Sequence, residues 1–303
     1  MAILRGSQHK LVMIRETTFG TTPATPTMFE MPITNFSKKS TTSILKSDQI
    51  RPHPFVDKML NGYFMHEIGI DFELQAAVHD KLLEQVFGVA IASKAAKFTD
   101  ALLGMSLESQ TGTGTLFDNF VGAYLNKMSI TASGSDTAPV KVSTSGMARV
   151  GNLDATSTIA TAVTAAANND PYIFADATLT MATVSTAVVA GTINFDRVVD
   201  PLMLWGSRLP REFVPGTVTA TGTITIPYDD ATQSALVKNF TTAALVFKFG
   251  NVGITTFRQF SFPTVKLGSI ERVINTRGGL MQVINWEAFY DSSSATICTL
   301  ATE

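Results

Sequence analysis

The sequence is short of most things that enzymes and secreted scaffolds are built from. It has one cysteine, Cys298, in 303 residues. That excludes an internal disulfide framework and a cysteine-based zinc cluster. It has four histidines, His9, His53, His66 and His79, and no closely spaced pair that could hold a metal from one helix face. Charge is scarce and balanced, with 23 Lys+Arg against 25 Asp+Glu and a net charge of −2. There is no basic surplus to argue for tight nucleic-acid binding. No apolar run reaches the ~20 residues of a membrane span. The N-terminal stretch has Arg5 and Lys10 but no continuous apolar segment of a signal peptide. The chain is therefore expected to be made and kept in a cytoplasm, or assembled there into something larger.

Catalytic patterns are missing too. Gly112 and Gly114 open no phosphate loop, and no Gly-x-Ser-x-Gly elbow is present. His66 and Glu67 are neighbours on a strand and point to opposite faces. His79 and Asp80 begin a short helix, where a solvated polar pair is the ordinary explanation. Cys298, between Ile297 and Thr299, reads as a small buried hydrophobe. The expectation is a protein that is not an enzyme and uses no cofactor or metal. Charged residues make up 16%, against about 25% in an ordinary soluble domain. With 45% hydrophobic residues, that balance fits surface buried by self-association, or equally a surface rich in Thr, Ser and Ala.

What is present is alternation, and it occurs twice. Val218, Ala220, Ile224 and Ile226 alternate with Thr219, Thr221, Thr223 and Thr225, the period of a half-buried strand. Asp229 or Asp230 can then cap a helix, with Gln233 closing a box and Leu236, Val237 and Phe240 on its apolar side. Earlier, Ile68, Ile70, Phe72 and Leu74 alternate with Glu67, Asp71 and Glu73. A short helix follows, with Val78, Leu82, Leu83, Val86 and Phe87 apolar.

The flanking segments keep the same order. Residues 1–30 contain no convincing core element, although Leu11 to Ile14 could form an edge strand. Residues 38–62 read as a long polar loop holding Pro52 and Pro54. Ala96 to Leu107 reads as a strand, and Tyr124–Ala132 with Val140–Val150 as a hairpin. The stretch from Ala155 to Ile193 is poor in charge and reads as a connecting segment lying partly on a neighbouring surface. Ile193 to Val199, then Leu245 to Phe249, then Phe257 to Val273 and Leu280 to Tyr290 repeat the layout, with Leu280–Phe289 in the place of Pro139–Ala148. The expected organisation is a first unit over 1–152, a connecting segment over 153–190 and a second unit over 191–303. Within the first unit, 1–30 is an arm and 37–62 a long loop.

Arg15-Glu16-Thr17-Thr18-Phe19-Gly20-Thr21-Thr22-Pro23 resembles the N-terminal arm of the major tail tube proteins of long-tailed phages. The strand–helix unit ending in Leu82, Leu83 and Phe87 resembles the same family. So do the run from Leu209-Pro210 through Gly222 into Thr223–Ile226 and the closing Trp286-Glu287-Ala288-Phe289-Tyr290-Asp291. The resemblance implies a mainly β fold: two tandem sandwich or half-barrel units, each with one short flanking helix, plus an arm and a long loop. It implies subunits that join their inner sheets into one closed barrel, and rings that stack into a tube. A doubled chain would complete such a ring with three copies in pseudo-sixfold symmetry, where a single-copy fold needs six. The implied partners are the chain itself, a tape-measure protein, tail terminator and distal tail proteins, and double-stranded DNA that passes without tight binding. No membrane is involved, and the implied location is the virion tail. Ring stacking would fall to Thr17, Phe19, Thr21 and Pro23. Glu67, Asp71 and Glu73 would line the lumen or form an outer solvated face. The alternatives are a related ring or tube component, such as a tail-completion or secretion-type tube protein, and a β-rich receptor-binding tail module.

Overall fold

Seventeen strands hydrogen-bond into one sheet network. The computed structural model describes residues 9–47, 55, 58–111, 116–134, 139–182, 184–228, 232–239, 241–250, 256–273 and 279–302. The strands are β1 Lys10–Arg15, β2 Thr27–Met31, β3 Asn35–Lys46, β4 Met59–Glu73, β5 Ala95–Lys97, β6 Met105–Thr111, β7 Leu116–Ser133, β8 Lys141–Ala155 and β9 Ala162–Thr164. They continue as β10 Ala177–Met181, β11 Val184–Thr186, β12 Ala190–Leu202, β13 Glu212–Pro227, β14 Thr242–Gly250, β15 Phe257–Val273, β16 Met281–Ala288 and β17 Thr299–Thr302. The α-helices among the described residues are α1 Asp80–Phe87 and α2 Thr232–Lys238.

The pairing order is the same in both halves of the chain. In the first, β2, β1, β6, β7, β8, β4 and β3 are successive antiparallel neighbours. In the second, β11, β10, β14, β15, β16, β13 and β12 are. Three irregularities correspond as well, while a fourth, between Phe117 and Asn119 in β7–β8, has no counterpart in β15–β16. β3 and β4 slip between Thr42 and Ile44, as β12 and β13 slip between Arg197 and Val199. Asn126 bulges out of β7 between Leu125 and Lys127, as Gly268 does out of β15 between Leu267 and Ser269. The slip near Met105 and Leu107 in the β6–β7 ladder recurs near Ala243 and Leu245 in β14–β15. Bulges re-aim a strand by bending and twisting it locally, so the three shared ones bend the two halves at corresponding places.

One rung is exchanged. In the first half Ile68 lies opposite Gly146; at the matching rung of the second half Gly222 lies opposite Trp286. The large residue has moved to the other strand, and a Cβ on Gly222 would sit 2.6 Å from the Trp286 ring. One contiguous core runs through both halves, from Leu11, Ile70, Phe72, Leu83 and Phe87 to Ile224, Phe247, Phe262 and Trp286. Helix α1 buries Leu82, Leu83, Val86 and Phe87 and stops at Gly88, whose φ of +70° is a left-handed cap that favours glycine.

Several sequence expectations change. Within 38–62, residues 38–46 and 59–62 are paired strand, the ends of β3 and β4, in place of the expected long loop. Lys10–Arg15 is flanked by β2 and β6, so it is an inner strand and not an edge. Ala96–Leu107 is split between β5 and β6. The stretch from Ala155 to Ile193 holds β10 and β11, which pair within the second half and with β14. Asp229, Asp230, Phe240 and His53 lie outside the described residues, as does the Gln233 side chain.

Candidate assembly surface

The two halves are laced together along a ladder between β7 and β12, from Lys127↔Asp196 to Ser133↔Ala190. As a result β3, β4, β8, β7, β12, β13, β16 and the far half of β15 are consecutive strands of one curved sheet. Alternation gives this sheet two different faces. One buries Ile68, Ile70, Ile130, Ile193, Phe195, Ile224 and Ile284. The other carries Ser, Thr and Asn with a few charges. Shallow grooves along it are lined by Lys39, Glu67 and Lys127, by Asp71, Glu73 and Lys141, and by Asn194, Thr221, Thr223, Lys266 and Glu287.

Glu67, Asp71 and Glu73 therefore share one face, as the alternation implied. They do not stand there as bare carboxylates. Lys39 Nζ is 3.3 Å from Glu67. Asn35 Nδ2 and Ser143 Oγ donate to the Asp71 carboxylate at 2.9 and 2.6 Å. Glu73 lies opposite Lys141 across the ladder. Further along, Lys127 and Asp196 pair at 2.9 Å and Ser129 donates to Asn194 at 2.7 Å. Such exposed pairs contribute little stability, about 0–1 kcal/mol each, but they neutralise the face locally.

The residues of the N-terminal arm are fixed from within. Glu16 is buried and accepts hydrogen bonds from Gly20 N at 2.7 Å, Ser106 Oγ at 2.7 Å and Gly122 N at 2.8 Å. Phe19 stacks on Tyr124, centroids 4.9 Å apart, and meets Phe213 edge-on. Thr17 and Thr21 are exposed and Pro23 half-buried. Of the four residues expected to stack rings, Phe19 has its ring committed inside the chain. Burial also pushes the nearby Tyr124 hydroxyl up to about 12.

Two buried arginines of the second half grip the first. Arg197 donates to the carbonyls of Ala101, Val86 and Thr99 at 2.8, 3.2 and 2.7 Å; Val86 is in the last turn of α1, where the helix dipole favours a cation, and the other two lie in the segment after it. Arg258 forks onto Asp80 with bonds of 2.8 and 2.9 Å. Sequence reasoning missed both, because neither arginine is near its partner in the chain. It also took His79 and Asp80 for a solvated pair. His79 is buried, stacked on Phe72 at 4.2 Å, with Nε2 2.9 Å from the Pro32 carbonyl; burial pulls its pKa down to about 4. Burial raises Asp80, against the pull of Arg258. His66 is buried beside Ser40 at 2.8 Å. Cys298 is buried, and burial pushes its thiol well up. Among the described residues no cluster of His, Cys, Asp and Glu could hold a metal ion, and no helix is long and apolar enough to cross a membrane.

The free margins of the curved sheet are its remaining unusual feature. At one end β3 pairs with β4 alone among the described residues. At the other, Ser269–Glu271 of β15 ladder to β16 on one side and to no described strand on the other. The hairpin tip of β3 and β4 exposes Ile44, Leu45, Met59, Leu60 and Tyr63. Long open edges and exposed apolar tips are liabilities that folded proteins cover or pair.

No curated protein matches the chain as a relative. Residues 6–288 match the family described as phage tail tube protein, and the chain belongs to that family.

Proposed function

We propose that three copies of this chain close into a ring with pseudo-sixfold symmetry, and that rings stack into the tube through which DNA and the tape-measure protein pass. Family membership makes the chain a structural component of a phage tail. One observation supports the ring: the curved sheet repeats one strand order twice and, among the described residues, has an open edge at each end. A repeat that propagates by rotation ends when the last edge meets the first, and closure removes both edges.

In this ring the Ser/Thr/Asn face lines the lumen and the apolar face points outward into the core. A conduit for DNA needs a wall that does not hold phosphate. Paired charges such as Lys39–Glu67 and Lys127–Asp196 meet that need better than a basic wall would. Thr17, Thr21 and Pro23 of the arm are left for contacts between rings, with tail terminator and distal tail proteins at the tube's ends. The subunit performs no catalysis, binds no cofactor and needs no membrane; it is assembled in the host cytoplasm.

Electron microscopy of the purified protein, with native mass measurement of single rings, tests this reading. The expected result is annular particles of three chains that stack. Rings of six chains, or a monodisperse monomer at high concentration, would overturn it.

A further inference from the structure

We propose that the seam inside each chain is repeated between chains: β3 of one copy pairs antiparallel with the far end of β15 of the next, in the register of the β7–β12 ladder. The proposal rests on the ring reading above and names its contact.

The register follows from the correspondence of the two halves. Within the chain Asp196, Phe195 and Asn194 of β12 lie opposite Lys127, Met128 and Ser129 of β7. The hairpin registers, fixed by their shared slip, place Thr41, Ser40 and Lys39 of β3 where those β12 residues stand. The bulges at Asn126 and Gly268 place Ser269, Ile270 and Glu271 of β15 where those β7 residues stand. The rungs between chains are then Thr41↔Ser269, Ser40↔Ile270 and Lys39↔Glu271.

The side chains suit this pairing. Inside the chain the open face of the seam carries a Lys127–Asp196 ion pair and a Ser129–Asn194 hydrogen bond. Between chains the same face would carry Lys39, which also reaches Glu67 in its own chain, against Glu271, and Thr41 against Ser269: one charge pair, and a hydroxyl pair in place of the hydroxyl–amide bond. Opposite charges at facing rungs are favourable and like charges are not. The next rung sets Lys38 against Arg272, where Lys38 is already neutralised by Asp118 and Arg272 lies 4.3 Å over the Tyr228 ring.

The hairpin tips point the same way. At the tip of β12 and β13, Val199 and Phe213 are 7% and 5% exposed, covered by Tyr124, Met147 and Phe19 of the first half. The corresponding residues of β3 and β4 are Ile44 and Met59, also large and apolar, yet 61% and 62% exposed. Arg149, whose Nε donates to Pro210 O at the covered tip, has Phe289 as its counterpart one residue past the matched Ala148 and Ala288 rungs. Phe289 is exposed, so an apolar tip would land on an apolar counterpart.

The test uses cysteine pairs in the full chain, whose own Cys298 is buried. Lys39→Cys and Glu271→Cys are made in separate preparations, mixed, assembled and oxidised by copper-catalysed oxygen, two thiols giving one disulfide. The expected result is a linked pair of chains on a non-reducing gel, and a closed covalent trimer when both substitutions are in one chain. Asn35→Cys with Glu271→Cys, four residues and about 13 Å out of register, should not link. Lys39→Glu should weaken assembly several-fold and Lys39→Glu with Glu271→Lys should restore it. Rings that form normally without the expected link, or with the Asn35 link equally strong, overturn the seam and leave the ring intact. Absence of rings from unmodified protein overturns the ring reading and the seam with it.

Discussion

The β3–β4 and β12–β13 hairpins are two copies of one device under different cover. Their ladders run in the same register and slip at the same rung. Yet β12 is half-buried or buried along most of its length, and β3 is exposed along nearly all of it. The difference lies in the neighbour: β12 has β7 beside it and β3 has no second strand among the described residues. The cover also shapes the sequence. Arg197, which reaches into the end of α1, corresponds to Thr42, and buried Phe195 to exposed Ser40. A strand with its partner in the same chain carries core residues. One whose face is wet in the free chain carries Lys, Ser and Thr, which keep an open edge soluble.

That contrast is most exposed to failure at the hairpin tips. Phe213→Ala removes a ring packed on Phe19 and Tyr124, and should cost the unassembled subunit about 3–5 kcal/mol. Met59→Ala, at the corresponding place, should cost within about 0.5 kcal/mol, because the side chain is already in water. Urea unfolding of the two variants before assembly gives both numbers. Equal losses would mean that the first tip is covered in the free chain, and the comparison would collapse.

The same contrast explains what could be read from the sequence. The alternation from Ile68 to Leu74 and from Val218 to Ile226 is visible because one face of each strand is buried by the same chain. From Lys38 onward the strand Asn35–Lys46 reads as a loop because neither face of the free chain is buried enough to leave a period-two pattern. Segment 177–186 reads as a connector because its Ala and Thr residues give little contrast, although it forms β10 and β11 in the places of β1 and β2. The shared face of Glu67, Asp71 and Glu73 follows from parity alone. Their Lys, Asn and Ser partners come from other strands and could not be inferred. The burial of His79 was equally hidden, since its neighbours Pro32 and Phe72 lie on separate elements.

His79 sharpens the comparison by pH. It is buried at the start of α1, and its folded pKa of about 4 lies below the ordinary 6.5. The unfolded chain therefore binds the extra proton between these values, and stability falls as pH drops through 6.5 toward 4. The loss should reach roughly 3 kcal/mol at pH 4. Hydrogen exchange should show α1 opening at a higher pH than β13 and β16. His79→Gln should flatten the slope in that window; an unchanged slope would assign the acid sensitivity to other groups.

The exchanged rung is a smaller test. Gly146 and Gly222 sit on opposite strands of corresponding rungs, each against a large residue. A Cβ would lie 1.9 Å from the Tyr124 carbonyl at Gly146, and 2.1 Å from the Thr192 carbonyl at Gly222. Both obstacles are backbone, so each Gly→Ala should cost about 1–3 kcal/mol by overpacking, read as a drop in melting temperature. A tolerant Gly222 beside an intolerant Gly146 would show that the two halves are less equivalent in packing than in pairing.

The smallest effect on the fold is expected where the effect on function should be clear. Changing Glu67, Asp71 and Glu73 together to Lys removes pairings worth little and sets new cations opposite Lys39 and Lys141, so the unassembled subunit should lose about 1 kcal/mol or less for each residue reversed. The open face of the first half would become basic while that of the second half stayed mixed. In a finished ring that places three cationic sectors around the lumen, each able to hold phosphate. DNA release from tails built with this variant should slow, and the slowing should fade as salt is raised. Release at the normal rate at low salt would put these residues on an outer surface, and the polar face would then need another role.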